Sequence, residues 1–328
     1  MENITYLIGA GASFNSLPLV KDMPERIETF AKFLSASAEL NRFSHPFLQK
    51  YISETHSLIE DVGNSTSLDA HAKFLYDKDN REANKKFRRL KAILIGYLIF
   101  EQLDKPKDIN IPTSNPNITP LISTSLDKRY KTFWSDYLSR EKHALPPNVN
   151  IISWNYDMQF ELSYCKSKEC SLELAQQNLQ VFPSTLRSKL NRSLSKIIKL
   201  NGTAGLIKQK NSIHFENLIG YDNNSTTFLQ GDIYYTLELI MNFFGDNYDN
   251  FTSTYEPLFS FAWEEKDPHS NEAKEIAKQT LRYTSTLIVI GYSFPKFNFD
   301  IDKHIFSGNA IRKLYYQTQE QDYDDCLE

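Results

Sequence analysis

The chain has few of the residues that would staple or anchor it. Its 328 residues include three cysteines, Cys165, Cys170 and Cys326. Three thiols cannot make a four-thiolate zinc site, and no CxxC pair is present, so that kind of metal module is excluded. So sparse and odd a set reads as free thiols of a reducing compartment. No apolar run approaches the roughly 18 residues that mark a membrane span, and the first residues lack the basic, then apolar, then small-residue order of a secretory leader. These absences predict a cytoplasmic protein with no membrane partner. Positive charge is not in excess either. A net charge of −4 and a pI near 6.0 give no general attraction to nucleic acid. The basic run from Lys85 to Lys91 reads as the solvated face of a helix, so no direct nucleic-acid binding is expected. No two of the seven histidines stand at HxxxH spacing, and no metal is expected.

What is present begins at Ile4. The residues Ile4-Thr5-Tyr6-Leu7-Ile8, in part β-branched or aromatic, predict a short buried strand. They run into Gly9-Ala10-Gly11-Ala12-Ser13, which predicts a tight turn opening a helix. Small residues there would let main-chain N–H groups approach a diphosphate, with the helix N-terminus adding partial positive charge. The common dinucleotide fingerprint has a third, later glycine, which this stretch lacks.

Helical periodicity then dominates. Asp22 is a candidate cap for a helix carrying Ile27, Phe30, Phe33 and Leu34. Further helices are expected over 46–59, 67–76 and 84–103, and a Pro-, Asn- and Ser-rich loop over 104–119. Strand signals return at 148–154, 195–200 and 286–290, with helices near 231–250 and 270–283 and a possible edge strand at 311–316. Alternating strands and helices predict an α/β protein, a Rossmann-like doubly wound parallel sheet with a helical insertion subdomain. The division expected is 1–19 with 119–328 for the sheet domain and 20–118 for the insertion. In such sheets ligands bind at the carboxyl ends of strands. Four polar clusters fall there: Gly9 to Ser13, Asn155 to Asp157, Asn201 to Thr203, and Gly291 to Ser293.

Four motifs in this order resemble the sirtuin-like domains of bacterial anti-phage defence proteins. They are Gly9-Ala10-Gly11-Ala12-Ser13, then Trp154-Asn155-Tyr156-Asp157 with Glu161, then Leu200-Asn201-Gly202-Thr203, then Ile290-Gly291-Tyr292-Ser293-Phe294-Pro295. Ser67-Leu68-Asp69 is similar to a motif of that family's helical insertion. The resemblance implies an NAD-binding fold and an NAD+ glycohydrolase that cleaves the nicotinamide–ribose bond, depleting NAD during abortive infection. It implies Gly9, Ala10, Gly11, Ala12, Ser13, Asp69, Gly202, Thr203, Gly291, Ser293 and Phe294 as NAD-binding positions, with NAD+ as substrate. Asn155 is the candidate catalytic residue: its carboxamide donates and accepts hydrogen bonds, so it can grip a ribose and orient a water. Asp157 either fixes the ribose or caps the following helix.

One position departs from the family. Asn201 stands where sirtuin-like enzymes carry histidine, and asparagine has no proton to exchange near neutral pH. Three readings follow: an engineered substitution that traps NAD, a natural binding-only sensor or scaffold subunit, or an enzyme that uses another base. His71 is the alternative base considered. A sirtuin-type protein deacylase is a further reading, set against by the missing zinc cysteines. With no sensor domain apparent, control is expected from homo-oligomerisation or from a separate sensor or ATPase subunit.

Overall fold

The computed structural model describes residues 2–17, 22–63, 65, 67–105, 126–137, 144–184, 191, 193–210, 215–219, 233–248, 253–264 and 267–317. Pro18, most of the expected 104–119 loop, His143, His214, Cys326 and the acidic tail lie outside these, as do the expected boundaries at 19/20 and 118/119.

In chain order the first half contains β1 (Ile4–Ile8), α1 (Met23–Glu39), α2 (Leu48–Gly63), α3 (Leu68–Lys78), α4 (Arg81–Glu101) and α5 (Lys128–Tyr137). There follow β2 (Val149–Ser153), α6 (Gln159–Lys168), α7 (Leu172–Asn178), β3 (Val181–Phe182), β4 (Ile197–Lys199), β5 (Gly202–Gln209) and β6 (Phe215–Asn217). The chain continues through α8 (Ile233–Tyr248), β7 (Tyr255–Phe259), α9 (Pro268–Arg282), β8 (Thr286–Ile290), α10 (Phe299–Ile305) and β9 (Lys313–Gln317).

The elements fall into two compact units, residues 1–14, 128–203 and 258–328 in one, and 15–127 with 204–257 in the other. The first holds a six-stranded sheet ordered β3-β4-β2-β1-β8-β9, with every neighbouring pair parallel. Ile4 is level with Val149 on one side and Thr286 on the other. The strands read as apolar runs because helices cover the sheet, leaving little room for an in-out alternation. Leu7, Ile152, Ile198 and Val289 are fully buried and cluster with Ala273, Ala277 and Leu281 of α9. The chain winds outward from β1 in both directions, so the order reverses between β1 and β8. That reversal is where a doubly wound sheet opens its ligand crevice. The α/β, Rossmann-like expectation is met.

The second unit is a helical layer around buried aromatics. Phe30 stacks on Phe100 at 4.5 Å, and Tyr51 meets Phe244 edge-on at 4.9 Å. Gly96 of α4 packs so closely that a Cβ there would lie 2.4 Å from Tyr51 Oη and 2.8 Å from Ile240. A three-stranded sheet is ordered β6-β5-β7. The expected insertion therefore grows by a second segment. Residues 204–257, assigned from sequence to the sheet domain, belong with the helical unit, because α8 buries Leu237, Ile240 and Phe244 among α2 and α4. Asp22 does stand at the N-cap of α1, but its side chain makes no capping hydrogen bond. Ser67 and Asn80 do cap, at α3 and α4. Among the described residues no helix is long and apolar enough to cross a membrane.

Candidate functional site at the carboxyl ends of the strands

The first unit carries all four polar clusters, whereas Asp69 belongs to the second unit along with His71. β1 hands on to the glycine turn. The helix expected there is a single 3-10 turn, Ala10–Ser13, and α1 begins only at Met23. A macrodipole needs a longer helix, so the anticipated helix-end charge does not arise at this turn.

Three of the turn's N–H groups are also committed. Gly9 donates to Ile290 O at 3.0 Å, Gly11 to Gly291 O at 3.0 Å, and Ala12 to Gly9 O at 3.0 Å. Of the residues expected to meet a diphosphate, Gly9 and Gly11 therefore have their N–H groups occupied within the fold. The glycines serve close packing instead. A Cβ on Gly9 would lie 2.5 Å from Gly291 O, and one on Gly11 2.9 Å from Gly291 Cα. Gly291 likewise supports the turn, at φ +62° with an added Cβ 2.2 Å from Ala12 N.

Ser13 is spent in the same way. Its hydroxyl donates to Asp157 Oδ2 at 2.7 Å, lies 2.6 Å from Tyr130 Oη, and accepts from Asn155 Nδ2 at 3.2 Å. Asp157 uses its other oxygen, Oδ1, to accept from the N–H of Gln159 at the start of α6. That bond ties Asp157 to the first turn of α6, whose N-cap position is held by Met158. Thr203 Oγ1 donates to Tyr156 O, and Gly202 sits at φ +72°. Ser293 and Phe294 are exposed, with Phe294 in the left-handed region at φ +50°.

Asn155 and Asn201 are different. Asn155 Nδ2 donates to Gly9 O at 2.9 Å and to Ser13 Oγ. A main-chain carbonyl can only accept, so this bond fixes which end of the amide is nitrogen. Both N–H hydrogens are thus used, and Oδ1 is the acceptor that the side chain keeps. Asn201 is 5% exposed, and its Oδ1 has no hydrogen-bond partner. A buried unsatisfied carbonyl costs on the order of 1–3 kcal/mol unless something donates to it. Asn155 follows β2 and Asn201 follows β4, and these strands are neighbours in the sheet.

Beneath them lies a group that sequence reasoning passed over. Lys199, 1% exposed at its side chain, places its ammonium 2.9 Å from Glu161 Oε1 and donates to the Asp157 carbonyl. Burial pushes the Glu161 carboxyl above its ordinary range, and the nearby ammonium offsets only part of that. The signal was available: a lysine ending the otherwise apolar run Ile197-Ile198 breaks the local pattern, as residues at functional sites do. Tyr130 carried no comparable signal.

On the β8 side, Tyr292 stacks on Trp154 at 5.5 Å and donates to Asp302 Oδ2 at 2.7 Å. Burial raises the Asp302 carboxyl from 3.8 to about 6, against the lowering effect of the Tyr292 bond. A carboxyl raised on folding stabilises the fold in its protonated form. That contribution is complete below about pH 4 and lost as pH rises through about 6. Unfolding free energy should therefore fall across this window, and Asp302→Asn should flatten the fall. Parallel urea titrations at about pH 4 and 7 check it, and an unchanged slope would refute the assignment.

An open cleft of about 210 Å³ lies at the opposite edge of the sheet, beside Asn3, Asn150, Lys196 and Thr280. These mark the amino ends of β1, β2 and β4, so the cleft belongs to none of the four clusters. No protein-family model matches the chain, and no curated protein sequence matches it.

Proposed function

We propose that the carboxyl edge of this sheet binds NAD+ and is built for cleavage of its nicotinamide–ribose bond, with Asn155 as the residue that holds the ribose and its attacking water. The observation that carries this reading is the pair of acceptor oxygens, Asn155 Oδ1 and the orphaned Asn201 Oδ1, at the ends of adjacent parallel strands. Ribose hydroxyls and water are donors, and such acceptors suit them. The fit is to the ribose end of the dinucleotide. The glycine turn, with the N–H groups of Gly9, Gly11 and Ala12 committed, offers less to the diphosphate.

Hydrolysis breaks the C–N bond, releases nicotinamide, and adds water to an oxocarbenium-like carbon. Asn155, held by Gly9 and Ser13, would fix a water against that carbon without reorganising. The four-motif resemblance supports placing this activity in NAD depletion during abortive infection, with activation by self-assembly or by a separate sensor or ATPase subunit.

A second reading, a binding subunit without turnover, is favoured by one residue. Asn201 cannot accept a proton from the ribose hydroxyls or water, and general base catalysis is typically worth about 10²–10⁴-fold. Purified protein and its Asn201→His and Asn155→Ala variants, assayed for NAD+ cleavage and binding, separate the two. We expect Asn201→His to cleave NAD+ at least about 10²-fold faster than the unsubstituted chain, and Asn155→Ala in that background to abolish the gain. Binding with no cleavage by either form gives the second reading. Absence of NAD+ binding overturns both.

A further inference from the structure

Two of the three cysteines meet at the far end of α6. Glu169 follows the helix in the left-handed conformation at φ +51°, and turns the chain back on itself. The N–H groups of Glu169 and Cys170 both reach the carbonyl of Cys165, the latter at 3.3 Å. This is a Schellman-type closure, which brings the first and sixth residues of the turn together. Here those two residues are Cys165 and Cys170, both free thiols and both buried. Such a closure ordinarily places an apolar contact at this spot. Two thiols there make a reactive pair out of a packing contact.

We propose that Cys165 and Cys170 form an oxidation site that closes to an intramolecular disulfide in the folded protein, with hydrogen peroxide as the oxidant class. The backbone already holds the two residues across the turn, so closure needs little movement of the chain. Disulfide formation is limited mainly by whether the fold can present its two thiols to each other.

The two cysteines have distinct parts. Cys170 is 8% exposed, whereas Cys165 is fully buried. The neighbouring Cys165 side chain and Lys168 favour the Cys170 thiolate, while the closeness of Cys170 and burial push the Cys165 thiol up. Thiolates are the nucleophiles in this chemistry. Cys170 therefore attacks peroxide first: its sulfur bonds to one oxygen, the O–O bond breaks, and the departing hydroxide takes a proton to leave as water. Cys165 sulfur then attacks the Cys170 sulfenic acid; the S–O bond breaks, the S–S bond forms, and a second water leaves. Two electrons pass from the two sulfurs to the peroxide, and both thiol protons end in water. The site is independent of the NAD+ reading and is tested without it.

The test uses the full chain with Cys326→Ser, so that only these two thiols remain. The folded protein is treated with equimolar hydrogen peroxide, then denatured and alkylated, and its intact mass and tryptic map are recorded. The expected product is monomeric, has lost the mass of two hydrogens, takes up no alkyl group, and yields one cross-linked peptide pair. Adding Cys165→Ser should stop the reaction at the Cys170 sulfenic acid, trapped by dimedone. Two alkylated thiols after treatment, or a disulfide found only between chains, overturns the proposal. So does the Cys165→Ser protein reacting at no sulfur while the parent still oxidises.

Discussion

Replacing Lys199 with methionine is expected to lower the stability of the sheet unit by about 3–5 kcal/mol, because it strands the Glu161 carboxylate in a site with no solvent access. The pair is 1% and 0% exposed at its side chains, so water cannot take the place of the missing ammonium. The same change frees the Asp157 carbonyl, which Lys199 holds, and loosens the segment that carries Asn155. Replacing both partners, as Lys199→Met with Glu161→Leu, should recover most of the stability, since an apolar pair of similar volume needs no solvation. The pH dependence gives an independent check. Burial already raises the Glu161 carboxyl, and losing Lys199 raises it further. A carboxyl raised on folding contributes fully below its unfolded pKa, and that contribution disappears as pH climbs through the folded value. The single variant should gain more on acidification than the double variant, which keeps only the Asp302 contribution. All three tryptophans, Trp134, Trp154 and Trp263, lie in the sheet unit, so their fluorescence follows its unfolding separately from that of the helical unit. A single variant within about 1 kcal/mol of the unsubstituted chain would show the ion pair to be dispensable.

Much of the sheet could be read from residue order. The strands β1, β2, β4 and β8 are rich in β-branched and aliphatic residues on both faces, with Asn150, Ser153 and Lys199 as the polar exceptions in β2 and β4. β9 carries no comparable run yet lies where an edge strand was expected. The strands β3 and β6 have two and three residues, too short to set a period. β5 begins Gly-Thr-Ala-Gly, a poor strand sequence that is held by its neighbours in the sheet. The helix α8 was legible, but not the unit it joins. Its apolar face fits either unit, and contact with α4, about 140 residues away in sequence, decides the matter.

The site was legible as a set of places and less so as a set of roles. Strand ends and glycines marked where the polar clusters would gather, because parallel sheets put their loops there. Which N–H groups stay free depends on the opposing backbone, and Gly291 lies about 280 residues beyond Gly11 in the chain. Ser13 and Asp157 likewise look like ligand contacts until their partners are seen to be each other. Asn155 offers a narrower chemistry than its residue type suggested: its donors are internal and its acceptor is what remains. Asn201, flagged for what it lacks, is notable in the fold for an unsatisfied oxygen.

Gly202→Ala should be the most damaging single methyl addition in the sheet unit, at on the order of 3–5 kcal/mol. Its φ of +72° alone costs an L-residue about 1–2 kcal/mol. The added Cβ would also stand 1.9 Å from Leu258 O and 2.8 Å from Leu258 C, both backbone atoms with no rotamer to change. Overpacking against such a wall adds roughly 1–3 kcal/mol. The strain falls next to the acceptor at issue, since Ser260 N–H donates to Asn201 O at 3.0 Å and fixes that residue's peptide. Moving β7 aside to relieve the clash would draw on that bond and turn the Asn201 amide. Gly63→Ala provides the contrast, with nothing within 4 Å of its added Cβ and an expected change within about 0.5 kcal/mol. Urea unfolding followed by tryptophan fluorescence reads the first, and far-ultraviolet circular dichroism, dominated by helix, reads the second. If Gly202→Ala lost less than about 1 kcal/mol, the Leu258 backbone could yield at little cost. The tight approach around Asn201 would then not be what holds its amide in place.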